Sequence, residues 1–500
     1  MYNRLLELIN NVGAPKILLI GDFMLDRYLY GFTDRISPEA PVMVLNVSER
    51  EVKAGGCGSV AVDLSTLGCE VTCVGMVGDD LVGRELKDIL NNLEGVNGDG
   101  IITVDDRPTT SKERIIGLAQ HRHQQQLMRI DEESCLPVSA KDQAKFVSFI
   151  KKAINDCDVV CLEDYNKGML KGNFCTTIID IANASGKHVL VDPAAIQDYS
   201  RYQGCWMIKP NRREVAMATG IEIEGDTSCQ RAAKKLASTL SIENVVVTLD
   251  KQGAYLYNKT KESGELIPTR VRDVYDVTGA GDMVLATLGM LAGGKYSAVA
   301  APTGSEIVAV ANIAGGLEVE RYGCVGISRD EIVAELIREG KIETGKLRTL
   351  PALLEELKLH RRQDKKIVFT NGCFDILHSG HTTLINFAKA AGDLLIMGIN
   401  SDASVSRLKG ENRPINSDHD RAVLLSALEA VDYVIVFEED TPQRLIESII
   451  PDILIKGSDW TGNVVGQECV EAAGGKVVLM PLVEGKSTTA TIEQVIKDKY

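Results

Sequence analysis

The sequence predicts an α/β protein of two domains in series, each built on a doubly wound, mostly parallel sheet. Three observations carry that expectation. A chain of 500 residues is too long for one ordinary core. Apolar runs of strand length recur with helical patterns between them, and they are continuous rather than alternating, as in parallel strands covered on both faces. The pattern then breaks after Gly323 and starts afresh at Ile367, across a charged stretch punctuated by glycine.

In chain order, the first series of strands is expected at residues 17–20, 159–162, 189–191 and 245–248. Several of these runs end in acidic or polar turns: Gly21-Asp22, Glu163-Asp164, Asp192-Pro193 and Pro210-Asn211. Ligands of such sheets bind beyond the carboxyl ends of the strands, so these turns should converge on a site. Residues 283–291 and 307–313 are the most apolar segments and are short enough to be buried helices. Residues 339–346 read as a linker, and residues 353–359 as a short amphipathic helix. The second series follows at residues 367–370, 394–399, 433–436, 453–455 and 477–479. These positions predict a first domain over residues 1–330, a linker over 331–362 and a second domain over 363–500. No internal repeat and no low-complexity tract interrupts them.

Composition excludes several classes. Hydrophobic residues make up 44% and charged residues 25%, the balance of a soluble globular protein. A net charge of -15 argues against a nucleic-acid surface, which is normally basic. No apolar stretch reaches the ~18 residues of a membrane span. The 12 cysteines form no C-x-x-C pair. Cys69 and Cys73, like Cys157 and Cys161, have a spacing that would put each pair on one helix face, and they read as small buried hydrophobes. Scattered thiols without a signal segment predict a reducing cytoplasm.

Two phosphate-handling patterns stand out. The first is Asp276-Val277-Thr278-Gly279-Ala280-Gly281-Asp282, followed by an apolar helical run. Gly279, Ala280 and Gly281 let backbone N–H groups approach an anion, and the helix start adds partial positive charge. Asp282 would repel phosphate, so it suits a general base accepting a proton from an attacking hydroxyl. The plainer reading is an N-terminal aspartate after a glycine turn.

This half, from residue 10 to about 330, resembles the ribokinase-like (phosphofructokinase-B) sugar kinases. Besides the Asp-x-Thr-Gly-Ala-Gly-Asp stretch, Gly55-Gly56 and Asn211-Arg212-Arg213-Glu214 carry the likeness. The resemblance implies a doubly wound sheet with a small β lid. It implies that Asn211 and Glu214 help place magnesium and the nucleotide phosphates, with Glu214 acting on the metal indirectly. Gly55, Gly56 and Asp26 would lie beside the sugar, and Gly279, Ala280 and Gly281 would form the anion hole with Asp282 as base. A monovalent cation is expected near Asp276 and Thr278. Residues 35–42 and 125–131 look like the branch acting on heptose 7-phosphate. Lys112, Arg114 and Arg129 are cations in an acidic chain and suit a clamp for a second substrate phosphate; alternatively they are solvated strand-edge charges. Two positions depart from the family pattern. Ser59 stands where an asparagine usually touches sugar hydroxyls, and Ala194 where a lysine usually follows Asp192-Pro193.

The second pattern is Asn371-Gly372-Cys373-Phe374-Asp375-Ile376-Leu377-His378-Ser379-Gly380-His381. His378 and His381 bracket a glycine at a strand-to-helix turn. With Asp375 nearby a metal site is conceivable, but no third ligand at a suitable spacing accompanies them. Two imidazole donors at a helix start fit a five-coordinate α-phosphate better, and a phosphate nucleophile needs no general base. Residues from about 360 to 500 resemble the cytidylyltransferase-like nucleotidyltransferases. The His-x-Gly-His signature, Leu408-Lys409-Gly410, Arg413-Pro414, Asp420-Arg421, Lys456-Gly457-Ser458-Asp459 and Ser487-Thr488-Thr489 carry that likeness. It implies a Rossmann-like nucleotidyltransferase domain. It implies that Lys409 neutralises the triphosphate, that Ser487, Thr488 and Thr489 contact phosphates, and that Asn371, Phe374 and Lys456 border the nucleotide. Within that family the segments 439–442 and 484–489 look like the members acting on heptose 1-phosphate.

Together the two resemblances imply ATP-dependent phosphorylation of heptose 7-phosphate at the anomeric hydroxyl. They further imply AMP transfer from ATP to heptose 1-phosphate, giving ADP-heptose for a surface glycan such as the lipopolysaccharide core. ATP, magnesium and sugar phosphates are the expected ligands, and a homodimer the expected assembly, with neither nucleic acid nor membrane. A kinase and transferase for another sugar phosphate, or a first half reduced to a scaffold, are the competing readings.

Overall fold

The computed structural model describes residues 2–118, 125–270, 272, 274–321, 323, 325–458 and 464–481. It divides into two compact units, one spanning Asn11–Ile332 and the other combining Met1–Asn10 with Val333–Tyr500.

The Asn11–Ile332 unit is built on a nine-stranded sheet. Across the sheet the strands are Ser263–Ile267, Ala254–Asn258, Asn244–Thr248, Met207–Ile208, His188–Asp192, Val159–Glu163, Lys16–Gly21, Glu70–Gly78 and Val96–Val104. Only the first two named run antiparallel to their neighbours. Lys16–Gly21 and Val159–Glu163 lie side by side in parallel at the centre and are buried almost throughout, so both faces of their apolar runs are covered. The helices Ala280–Ala292 and Gly304–Glu318 hold the two apolar segments expected from the sequence, and most residues of each are buried.

A second, four-stranded sheet forms the lid, in the order Met43–Gly56, Phe23–Ile36, Ser111–Leu118, Gln125–Glu132. Pro38 and Pro41 lie in the turn between the first two strands, where neither has to donate a ladder hydrogen bond. Asp26 pairs with Lys112, and Arg114 with Arg129, so these four side chains share one lid face.

The other unit holds a five-stranded parallel sheet ordered Tyr433–Phe437, Leu394–Asn400, Ile367–Gly372, Ile453–Gly457, Lys476–Met480. Ile367 and Phe369 enter one hydrophobic cluster and Val368 the other, on opposite faces of the sheet. The order reverses between Ile367–Gly372 and Ile453–Gly457, which is where such a sheet opens a crevice.

Two sequence expectations differ from this structure. Residues 331–362 are not an extended linker: helices Arg329–Thr344 and Leu350–Arg362 occupy them, and Leu353 and Leu357 belong to a core cluster of the second unit. Gly340 does not stop the first helix, because its neighbours keep good helix propensity. The four spaced cysteines do not lie on helix faces either. Cys73 and Cys161 sit in strands and Cys69 and Cys157 in the loops before them, although all four are buried.

The helix Tyr2–Asn10 packs in the second unit, far in sequence from its partners. Leu5, Leu6, Leu8 and Ile9 are buried, and the Asn10 amide donates to the Glu355 carboxylate at 3.0 Å. Each buried apolar side chain contributes ~1.5–3 kcal/mol. Deleting residues 2–10 is therefore expected to lower the thermal unfolding temperature of the second unit by several degrees and to leave that of residues 11–332 unchanged. Two calorimetric transitions would resolve the two units; an equal fall in both would contradict this assignment.

Candidate active sites

The first site lies beyond the carboxyl ends of the central strands of the nine-stranded sheet. Gly279 has φ 92, a left-handed conformation that a residue with a Cβ rarely adopts, and it starts the helix Ala280–Ala292. The first N–H groups of that helix have no intrahelical partner and form an anion-binding end. Asp282 sits in its first turn and is only 6% exposed. Burial, then the negative charge of Asp192, pushes the Asp282 carboxyl up to about 7. The Tyr165 hydroxyl, at 3.1 Å, the Lys209 ammonium and the Ser59 hydroxyl pull the other way. An aspartate with this poise exchanges a proton near neutral pH, as a base for a sugar hydroxyl must.

The acidic turns do converge. Glu163, Asp192 and Asp282 bring carboxylate oxygens within 4.8 Å of one another. Lys209, buried, meets Asp192 at 2.6 Å. Burial works against its charge, but Asp192 and Glu163 outweigh it and hold the ammonium protonated. A Cβ on Gly281 would stand 3.5 Å from the Lys209 Nζ, so the cation lies against the glycine turn where transferring phosphate would pass. Asp22 accepts the backbone N–H groups of Tyr165, Lys167 and Met169 at 3.1, 2.8 and 3.0 Å, which ties the loop carrying Tyr165 to the first strand.

Asn211 caps the helix Arg212–Thr219, accepting the Glu214 N–H at 3.0 Å, while Glu214 accepts the Asn211 N–H at 2.8 Å. Burial, then Asp192, raises the Glu214 carboxyl to about 7. The two Asn211 bonds and the Lys209 ammonium offset part of that rise. Asp276 accepts the N–H groups of Thr278 and Gly323 at 2.9 and 3.1 Å, closing the loop ahead of the anion turn.

Gly55 and Gly56 end a lid strand beside the site. A Cβ on Gly55 would meet the Asp26 carboxylate at 2.2 Å, so only glycine admits Asp26 there. Arg114 and Arg129 are both paired inside the lid. Arg114 contacts Asp26 at 2.6 Å, and Arg129 forms a two-pronged pair with Asp131 at 2.7 Å on each arm. Lys112 packs over the Tyr165 ring at 5.3 Å, and its burial lowers the ammonium pKa. Ser59, buried in the helix Cys57–Thr66, is turned to Asp282. Ala194 is buried, its N–H donating to the Tyr202 hydroxyl at 3.0 Å.

The second site occupies the switch point of the five-stranded sheet. Lys456, at the end of one strand, donates to the Asn371 side chain at the end of its neighbour. His378 precedes the helix Ser379–Ala390. Its ring stacks on His381 with centroids 3.9 Å apart, and Phe374 meets His381 edge-on at 5.1 Å. The His378 N–H donates to His381 Nδ1 at 3.4 Å, which leaves Nε2 of His381 as the N–H donor. Burial, then His378 and Lys409, depresses the His381 pKa to about 4, so the ring is neutral at pH 7. Lys409 is exposed at the end of the helix Asp402–Lys409. Asp375 is spent on structure. It takes Arg413 at 2.5 Å and the Ile415 and Asn416 N–H groups at 2.7 and 3.1 Å. Those bonds outweigh burial and hold its carboxyl below the usual range. Arg421, fully buried, donates to the Cys373 carbonyl at 2.6 Å and to Asp402 at 2.8 Å. Ser487, Thr488 and Thr489 lie outside the described residues.

Sequence reasoning did not single out Tyr165 or Lys209. Glu163 and Asp192 were visible as acidic strand ends, and Lys209 stands directly before the flagged Pro210-Asn211 turn. Nothing in the sequence links Tyr165 to Asp282, 117 residues away.

Two family models match the chain: pfkB family carbohydrate kinase over residues 14–331, and cytidylyltransferase-like over residues 369–492. The Bifunctional protein HldE of Syntrophotalea carbinolica is 40% identical over 97% of this chain and 96% of its own. That of Wolinella succinogenes is 42% identical over 96% of this chain and 98% of its own. Among solved structures, Arabidopsis thaliana ribokinase complexed with ribose and ATP covers 65% of this chain and 99% of its own, with 18% identity and a TM-score of 0.50. Escherichia coli phosphofructokinase-2 in complex with potassium gives the same identity and coverages with a TM-score of 0.51. These two structures bear on the fold of the first unit.

Proposed function

Since this chain belongs to the bifunctional HldE proteins, a pfkB family carbohydrate kinase joined to a cytidylyltransferase-like domain, we infer one polypeptide with two ATP-dependent activities. It is a heptose 7-phosphate kinase and a heptose 1-phosphate adenylyltransferase. The observation that carries this reading is the likeness through both halves in the same order, 40% identity over 97% of the chain. The two sites agree with it in chemistry. One holds a buried carboxyl poised near neutrality beside an anion-binding helix end. The other holds two stacked imidazoles at a helix start.

In the kinase reaction, Asp282 takes the proton of the anomeric hydroxyl as that oxygen attacks the γ-phosphorus of ATP. The N–H groups at Ala280 and Gly281, with Lys209, meet the charge on the moving phosphoryl group. Asp26, Gly55, Gly56 and Ser59 border the sugar, and Lys112, with Arg114 and Arg129 on the same lid face, takes its 7-phosphate. Magnesium bound with ATP would be held near Glu214 and Asn211 and would neutralise phosphate charge. A monovalent cation near Asp276 and Thr278 would steady the anion turn. In the transferase reaction the sugar 1-phosphate is already an anion, so no base is required. His378 and His381 donate to the α-phosphate, Lys409 and Lys456 offset the triphosphate charge, and Asn371 and Phe374 hold the nucleotide. Ser487, Thr488 and Thr489 complete the phosphate contacts in this reading.

We also propose a homodimer formed through the lid. Met128 and Ile130, on the lid face away from Arg129, are 58% and 47% exposed, and Ile36 and Met43 at its rim are also exposed. A second copy would cover that face. Light scattering should then give about twice the chain mass of 54.3 kDa. Its need for ATP and sugar phosphate supports the cytoplasm as the compartment we propose for it.

The test of function is ATP consumption with heptose 7-phosphate against a panel of other sugar phosphates, then ADP-heptose formation from heptose 1-phosphate and ATP. Preference for another sugar in the first assay would reassign the kinase. Turnover in the second assay alone would leave the first unit a scaffold. Removing magnesium with a general chelator is expected to stop both reactions, and restoring it to revive them. A zinc-selective chelator is expected to change neither rate; a loss of adenylyl transfer there would make His378 and His381 metal ligands.

A further inference from the structure

Tyr165 touches two parts of the kinase site, the buried carboxyl of Asp282 and a lid cation. Its hydroxyl donates to Asp282 Oδ1 at 3.1 Å. Its ring carries the Lys112 ammonium at 5.3 Å from the centroid. Lys112 comes from a lid strand, whereas Tyr165 follows the central strand Val159–Glu163 and Asp282 starts the helix Ala280–Ala292. The loop bearing Tyr165 is fixed from below by three N–H bonds to the buried Asp22. The phenol is therefore presented from a rigid platform and not from a free loop.

Resting on the kinase reading above, we propose that Tyr165 is a positioning residue that aligns Asp282 for proton transfer and makes that alignment depend on the phosphate held by Lys112. With the phenol in place, one carboxylate oxygen of Asp282 is fixed and the group faces the anomeric hydroxyl. The step itself is balanced within the substrates. The sugar oxygen forms its bond to the γ-phosphorus, the bond from that phosphorus to the β,γ-bridging oxygen breaks, ADP leaves with the electron pair, and the hydroxyl proton goes to Asp282. When a substrate phosphate engages Lys112, the cation's pull on the ring face changes, and with it the hold of the phenol on the base. A sugar lacking that phosphate leaves Lys112 on the ring, where its charge makes the phenol a stronger donor and holds the Asp282 carboxylate back from accepting a proton. The distal phosphate thereby acts on turnover as well as on binding.

The experiment is steady-state kinase kinetics of the full chain and of Tyr165→Phe, with heptose 7-phosphate and with the unphosphorylated heptose. Phenylalanine keeps the ring and its packing and removes only the hydroxyl. The expected result is a fall in kcat of roughly tenfold or more with little change in KM for either substrate, as for loss of an alignment contact. The ratio of kcat between phosphorylated and unphosphorylated sugar should collapse toward one in the variant. 3-Fluorotyrosine at position 165 retains the hydroxyl and should restore turnover, and it serves if Tyr165→Phe folds poorly. The thermal transition of residues 11–332 in the same preparation reports whether that unit stays folded. Wild-type kcat in Tyr165→Phe, or an unchanged ratio between the two sugars, would overturn the inference. If the unmodified protein prefers a different sugar phosphate, the kinase reading fails instead, and the same comparison applies to that sugar with and without its phosphate.

Discussion

Adenylyl transfer is expected to fall by ~10²–10³ in kcat when either His378 or His381 is replaced by alanine, with KM for ATP changed far less. The two rings are stacked at 3.9 Å at the N-terminal end of the helix Ser379–Ala390, so in the proposed reaction one donor array and one helix end would address the same phosphate. His381 is neutral at pH 7, with its Nδ1 engaged by the His378 N–H. Its remaining N–H costs nothing to orient. A neutral donor of this kind binds ground-state phosphate modestly and strengthens as charge builds on the α-phosphorus. The loss should accordingly appear in turnover. His381 also helps to close the first helical turn, and losing that bond costs ~1 kcal/mol of stability at most. A melting curve shifted by a few degrees, with kcat down a hundredfold and kinase activity intact, would separate chemistry from folding. Unchanged turnover with a raised KM for ATP would show that the pair binds substrate and transition state equally, and the mechanistic assignment would fall.

How much of this was legible in the sequence differs between the two units. In the second, strand, turn and helix are contiguous. The motif from Asn371 to His381 spans the end of one strand and the start of the next helix, so local pattern is enough to bring both histidines together at one helix start. Lys456 was readable only through the family resemblance; the structure supplies the reason, since the ends of the first and fourth strands of that sheet lie side by side. The first unit is less local. Asp282 and its glycine turn announce themselves, and the acidic strand ends were expected to meet. Yet what sets the carboxyl near 7 is burial first and then Asp192, opposed by Tyr165, Lys209 and Ser59, groups drawn from four separate stretches. No periodicity reports which of many tyrosines or lysines a fold will bring to a buried aspartate. The lid cations show the converse limit. Lys112, Arg114 and Arg129 were visible as charges, and the Arg129–Asp131 pair is local to one strand, but the meeting of Arg114 with Asp26 and of Lys112 with Tyr165 depends on strand register and packing, which charge pattern alone does not specify. The helix Arg329–Thr344 was hidden for a third reason: its charged, glycine-bearing stretch resembles a linker, whereas the amphipathic helix read at residues 353–359 is present within Leu350–Arg362.

Asp282→Asn should cost the kinase ~10²-fold or more in turnover while adenylyl transfer by the same chain is unchanged. Asparagine is nearly isosteric and keeps a carbonyl oxygen for the Tyr165 hydroxyl, so the site should keep its shape. What it loses is the capacity to accept a proton. The unmodified enzyme supplies an independent check through pH. The Asp282 carboxyl is raised by burial and by Asp192 to about 7. The base is therefore ionised above that value and protonated below it, and kcat/KM for the kinase should fall about tenfold per unit as pH drops beneath about 7. In Asp282→Asn the residual rate should lose that limb, since the titrating group is gone. The transferase, whose nucleophile is an anionic phosphate and whose His381 stays neutral down to about 4, should not share the limb. Near-normal turnover in the variant would remove Asp282 from the mechanism. A variant that is slow yet keeps the wild-type pH limb would shift the titrating role to another carboxyl of the cluster, with Glu163 the first candidate because its buried oxygen has no hydrogen-bond partner among the described residues.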